Sequence, residues 1–267
     1  AWGVDRGMRI LYVAMAAAYA GGATINLFFL KETRTTPTTA IDMSNLSQTF
    51  REVYAGILPM LRAFPTALKA LSAIVILCFV CNGLAGPFWV VYVTTHVGLS
   101  SSQWGLIQLV EAGLRNLATI PAGFLVDHFG RRPFIITALL VSCLIPVILL
   151  AGTFAQILIL RCVVGMVSAF FSPAMGALMA DIVPSANRGR VMAAIGRGTV
   201  MVGGATGGIG GPGVGFLITG PLIVASACGG LLYAWSPAAP FLFVLGAMVI
   251  AVVLAVRFLH EPKQAEI

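Results

Sequence analysis

Charge is scarce in this chain of 267 residues. Its 16 Lys and Arg and nine Asp and Glu make up 9% of the sequence, and histidine occurs three times. A soluble domain carries about one-quarter charged residues, so an ordinary water-soluble fold is excluded. The few titratable side chains form no Ser–His pair, no paired acids at depth and no metal-ligand cluster, and the histidines fall at the ends of apolar runs. An enzyme active site, a metal centre and a cofactor are therefore not expected. The five cysteines, Cys78, Cys81, Cys143, Cys162 and Cys228, all lie in apolar sequence. The C-F-V-C at 78–81 thus reads as packing rather than a redox or metal pair. No lysine follows the glycine-rich stretch 203–215, which excludes a phosphate-binding loop. No aromatic-interleaved basic groove accompanies the formal charge of +7, so nucleic acid is not a partner.

Apolar residues are abundant: 59% of the chain is hydrophobic and the mean hydropathy is +0.98. Runs near 20 residues, rather than alternating tens, predict helices and not a barrel, because helices alone satisfy their own backbone in lipid. The expected fold is an all-α polytopic membrane protein with about seven spans, at 8–30, 70–95, 104–125, 134–152, 156–180, 190–215 and 239–259. The stretch 216–235 is also long enough to cross and would make eight. Between these spans the one long polar interval, 31–66, contains an extended segment around Pro37. Leu46, Phe50, Val53, Tyr54, Ile57, Leu58 and Leu61 follow at three- and four-residue steps, which predicts an amphipathic helix.

Seven spans place Lys31, Arg34, Arg51, Arg62, Lys69, Arg131, Arg132, Arg188, Arg190, Arg257 and Lys263 on one side, with Arg6 and Arg9 on the other. The positive-inside rule puts the larger group in the cytoplasm, the N-terminus outside and the C-terminus inside a cell membrane. Topology thereby accounts for the positive charge.

Residues 123–133, G-F-L-V-D-H-F-G-R-R-P, form a charged turn between two apolar runs. A second loop, A-D-I-V-P-S-A-N-R-G-R at 180–190, follows two spans later, with Arg161 and Gly165 at the start of the helix between them. In this order the three elements resemble the signature loops of the major facilitator superfamily of secondary transporters. The resemblance covers about residues 8–260 and implies a major-facilitator-type six-helix bundle, 67–260, with one preceding helix. It further implies that 1–30 belongs to the preceding half, 31–66 is the central cytoplasmic linker and 261–267 a cytoplasmic tail, so that a missing half must complete the transporter. The resemblance implies secondary transport of a small solute by alternating access, coupled to an ion such as a proton. A non-transporting receptor or scaffold on the same fold is the alternative.

Within that frame the turn reads as a conformational latch. Gly123 would let a neighbouring helix approach and Gly130 would supply the positive φ of a sharp reversal. Asp127 would face the start of the helix near Arg190. Arg131, Arg132, Asp181, Arg188 and Arg190 complete the motif, with membrane anchoring as the other reading of the arginines.

Ionisable residues inside spans cost about 2.5–3.5 kcal/mol each and need a reason. Four qualify: Glu111, Arg115, Arg161 and Arg197. Glu111 and Arg115 lie one turn apart in the acid-before-base order, so an intrahelical pair is expected, either neutralising itself or also contacting substrate or exchanging a proton; with Arg161, Arg197, Asn82 and Tyr92 they are the candidates for a substrate or proton pathway. Arg161 sits about 7 Å inside its boundary, near enough to snorkel outward. Arg197 precedes the glycine stripe Gly203, Gly207, Gly211 and Gly215, which predicts close packing of a continuous sixth span. The sequence N-G-L-A-G-P at 82–87 predicts a break in the second span, exposing Asn82, with Tyr92 on the same path. Three arginines against one glutamate favour an anionic or neutral substrate.

Overall fold

The computed structural model describes residues 4–29, 64–183, 188–196 and 215–260. The chain divides into two units, 1–56 and 57–267. The first contributes one helix, α1 (Val4–Phe29), whose side chains from Arg9 to Phe29 are all exposed. The stretch Arg9–Phe29, 21 residues, is long and apolar enough to cross a bilayer.

The second unit is a bundle. In chain order it contains α2 (Thr66–Ala85), α3 (Phe88–Thr95), α4 (Ser101–Phe129), α5 (Arg131–Ser142) continued by a 3-10 segment (Ile145–Leu150), α6 (Phe154–Ile182), α7 (Arg188–Ile195), α8 (Phe216–Trp235) and α9 (Ala239–Phe258). Seven segments among the described residues are long and apolar enough to span: Arg9–Phe29, Thr66–Thr95, Ser101–Phe129, Arg131–Leu150, Phe154–Ile182, Leu217–Trp235 and Ala239–Phe258. The chain is an all-α, multi-pass membrane protein.

Short polar sequences start the two longest helices. Ser100 caps α4 in a reciprocal capping box with Gln103, and Thr153 caps α6 by accepting from the Gln156 amide. Each of these helices has 29 residues, about 43 Å at 1.5 Å per residue, and they run in the same direction with α5 returning between them. Gly130 makes the reversal from α4 to α5 with φ 91°, a conformation open to glycine at little cost. The bundle thus has a Ser100 end and an Arg131 end.

The expected break near Asn82 is a mild one. α2 stops at Ala85, yet Gly86 and Pro87 keep right-handed helical dihedrals, and the Gly86 amide still donates to the Asn82 carbonyl at 3.0 Å. Pro87 lacks an N–H, which interrupts the ladder without unwinding it. Thr66–Thr95 therefore crosses as one 30-residue element.

The expected sixth span, 190–215, lies mostly outside the described residues: α7 covers Arg188–Ile195, and Gly215 has extended backbone (φ −74°, ψ 151°) just ahead of α8. The stretch set aside in the count of seven, here Leu217–Trp235, is long and apolar enough to span. A Cβ on Gly215 would overlap the Ala194 carbonyl and the Gly196 amide, so α8 begins where α7 stops. Gly83 of α2 meets Leu222, Ala225 and Ser226, whereas Gly229 of α8 meets the Leu84 backbone and the Phe88 ring. α8 hence runs parallel to α2 and α3. Arg197, the remaining stripe glycines, the amphipathic helix of 46–61 and the tail 261–267 lie outside the described residues.

Candidate functional site: a buried ion pair and a terminal clamp

Glu111 lies ten residues into α4 and Arg161 seven into α6, about 15 and 10 Å from the Ser100 end. Their side chains are 3% and 1% exposed, and Glu111 Oε2 is 2.5 Å from an Arg161 terminal nitrogen. That nitrogen also donates to Gln108 Oε1 at 2.7 Å. The guanidinium lies over the rings of Trp89 (4.7 Å) and Trp104 (5.4 Å). Electron-rich ring faces and two oxygen acceptors thus surround a cation that has left water, compensating part of its desolvation.

Small residues let the carboxylate in. Gly165, one turn after Arg161 on α6, carries no side chain, and a Cβ there would stand 2.7 Å from Glu111 Cγ and 3.2 Å from its carbonyl oxygen. Ser168, a further turn along that face, is buried and its hydroxyl has no hydrogen-bond partner among the described residues. Trp89 is anchored edge-on to Phe241 at 5.7 Å, and its buried indole N–H likewise has no partner among them.

Two expectations change here. The ion pair of Glu111 spans two helices and engages Arg161, with Arg115 on its own helix also acting on the carboxylate. Arg161 does not snorkel, because Trp89, Trp104, Gln108 and Glu111 hold its head inside the bundle. Arg115 is half-buried, and beside it Asn116 and Thr119 are exposed on a helix that crosses the membrane. Gln108, Trp89 and Trp104 were not singled out in the sequence. The signal for two of them was present, since Trp104, Gln108, Glu111 and Arg115 recur at steps of four, three and four on one face of α4. Trp89 is brought in by tertiary packing alone.

Asn82 is buried and its amide donates to the Cys78 carbonyl at 3.0 Å, within its own helix. Tyr92 stacks on His96 at 4.8 Å and meets Phe241 edge-on, with its hydroxyl 3.5 Å from the Leu149 carbonyl. Both residues are part of the packing of the Ser100 half. A separate cavity of about 790 Å³, lined by Val80, Leu84, Pro221, Val224 and Phe243 among others, is apolar and distinct from the ion pair.

At the Arg131 end the adjacent arginines diverge. Arg131 binds Asp181 at the end of α6, and Arg132 donates to the Val256 carbonyl of α9 at 2.7 Å. Arg188 donates to the Ala180 and Val183 carbonyls at 2.9 and 3.5 Å. Cations at the first positions of α5 oppose its dipole, and the same cations favour the carbonyl ends of α6 and α9. Asp127 behaves differently from expectation. Its side chain is 71% exposed and its ion pair is with Arg131 at 3.8 Å. The better covered partner of the clamp is Asp181, whose side chain is 16% exposed. A Cβ on Gly123 would meet nothing within 4 Å, so no described helix approaches it. Arg190 lies in α7.

Residues 71–266 match the Major Facilitator Superfamily. Over 170 residues the chain is 34% identical to Multidrug resistance protein 2 of Bacillus subtilis (strain 168), covering 63% of this chain and 38% of that protein. The chain thus aligns with well under half the length of the relative.

Proposed function

The chain belongs to the major facilitator superfamily, and on that premise we propose that it moves a small solute across the membrane by secondary active transport, through alternating access coupled to an ion such as a proton. The observation that supports this most is the Glu111–Arg161 pair, buried within the span and shared between two helices. A buried pair gives back little stability against its desolvation, so its presence in a span is better accounted for by use than by packing. Arg115, Asn116 and Thr119 on the poorly covered side of α4 support a water-filled cavity or a second bundle there.

In this reading 67–260 is one transporter half. Residues 1–30 belong to the other half, 31–66 link the two, and 261–267 form a tail. The second bundle supplies the missing wall of the cavity. Lys69, Arg131, Arg132, Arg188, Arg190 and Arg257 gather at the Arg131 end, and Lys and Arg are absent from the described residues of the Ser100 end. The positive-inside rule then turns the Arg131 end to the cytoplasm of a cell membrane, with the N-terminus outside. The Arg131–Asp181 and Arg132–Val256 contacts act as the latch of one conformation, with Asp127 exposed for a partner. The name of the Bacillus subtilis relative supports a drug-like small molecule as the solute.

A receptor or scaffold on the same fold remains the second reading, favoured by the fact that Glu111 finds its partner within one bundle. Reconstitution of the protein in liposomes separates them. Transport predicts solute flux that follows an imposed proton gradient and is lost in Glu111→Gln. Flux indifferent to the gradient and to Glu111, across a panel of drug-like solutes, would overturn it.

A further inference from the structure

We propose that the lipid-facing side of the bundle carries a binding site for an anionic phospholipid, where the start of α5 meets the end of α9. Arg132 and Arg257 receive the phosphate, and an apolar row beneath each arginine receives the acyl chains.

The two arginines are brought together by antiparallel packing. Arg132 donates to the Val256 carbonyl at 2.7 Å, and Val256 is the residue before Arg257. Arg132 is half-buried, while Arg257 is exposed with its guanidinium over the Phe258 ring at 6.0 Å. Each contact orients a planar fork of donors, the shape that takes two phosphate oxygens at once. The surrounding charge has the matching sign. Among the described residues of the Arg131 end, Lys69, Arg131, Arg132, Arg188, Arg190 and Arg257 stand against two acids, Asp127 and Asp181, and both acids pair with Arg131. The start of α5 adds the positive end of its helix dipole.

Below the arginines the surface turns apolar. Along α9, Arg257, Val253 and Ile250 recur at steps of four and three, and along α5, Arg132, Ile136 and Leu140 recur at steps of four, so each arginine heads a row on one face of its helix. Val253, Ile250 and Leu140 are exposed and Ile136 is half-buried. The rows descend about 10 Å on α9 and about 12 Å on α5, within the ~15 Å of hydrocarbon in one leaflet. Cations at headgroup level above hydrocarbon-facing rows fit a phospholipid, and their sign selects an anionic one. A soluble phosphate would use the arginines alone. A zwitterionic lipid would bring its own cation into a field that is already positive. A lipid seated here would bridge α5 and α9, apart from the Glu111–Arg161 pair and from the Arg131–Asp181 contact.

Native mass spectrometry of the full chain released from nanodiscs of equal phosphatidylglycerol and phosphatidylcholine tests the site. Phosphatidylglycerol should be retained in clear preference to phosphatidylcholine. Arg257→Gln, at an exposed position, should lower that preference about fivefold, the worth of one basic residue beside an anionic surface. Arg132→Gln combined with it should abolish the preference. Arg190→Gln, which removes the same charge from α7, should leave it in place, and glycerol phosphate in excess should not displace the lipid. Equal retention of the two lipids would overturn the proposal. So would an equal loss in Arg190→Gln and Arg257→Gln, which would mark a diffuse field rather than a site, or displacement by glycerol phosphate, which would mark a soluble anion.

Discussion

Glu111 is seated directly on Gly165: the carboxylate-bearing side chain of α4 fills the space that a side chain at that position of α6 would occupy. The two helices can share a buried ion pair because one of them is bare at the point of contact.

Gly165→Ala should therefore act through Glu111. Its Cβ would lie 2.7 Å from Glu111 Cγ, and overpacking of this kind costs about 1–3 kcal/mol. The carboxylate would shift away from Arg161 with the protein still inserted. The expected outcome is at least a tenfold loss of transport with a modest fall in the melting temperature. Measured side by side, unchanged transport would show that the seat is not needed.

The clamp at the other end should behave as a coupled pair. Arg131 and Asp181 are 30% and 16% exposed, so water screens part of their attraction. A double-mutant cycle with Arg131→Met and Asp181→Asn should give a coupling of about 0.5–1.5 kcal/mol in thermal stability. Asp127→Asn, altering a largely exposed carboxylate, should move stability by less than about 0.5 kcal/mol. The comparison distinguishes Asp181 from Asp127 as the partner that holds the clamp.

Two neighbouring glycines of α8 provide an internal control for the close approach of α2. Gly229→Ala places a Cβ 2.7 Å from the Leu84 carbonyl oxygen, a backbone atom that cannot rotate aside, whereas a Cβ on Gly230 meets nothing within 4 Å. Gly229→Ala should lower stability by about 1–3 kcal/mol, and Gly230→Ala should leave it unchanged or raise it slightly. Detergent-solubilised melting curves of the two variants check this.

Most of the spans were legible because their evidence is local. Apolar runs bounded by Gly130–Arg131, Ser100 and Thr153 announce crossings, and the positions of Lys and Arg sort the ends. Apolar length alone did not select 216–235 as a span. What seats that helix is the contact of Gly83 and Gly229 across α2 and α8, which is tertiary. The ion pair was half legible. Glu111 and Arg161 each stood out as charges in lipid, while the i, i+4 spacing showed Arg115 and gave no sign of the contact across to α6. Distance along one helix is visible in sequence, while the meeting of α4 with α6 over Gly165 is not. The same holds for the clamp, where Asp127 is prominent in the motif and Asp181 takes the part-buried contact.

The most direct test compares Glu111→Gln, Arg161→Met and the double variant for both stability and transport. Each single change leaves a buried charge without its counter-charge and should destabilise by about 3–5 kcal/mol, while the double variant, with neither charge, should recover most of that loss. If the pair carries the transport cycle, the double variant will be folded, present in the membrane and inactive. A double variant that regains both stability and gradient-driven flux would contradict the account, because the pair would then be packing alone.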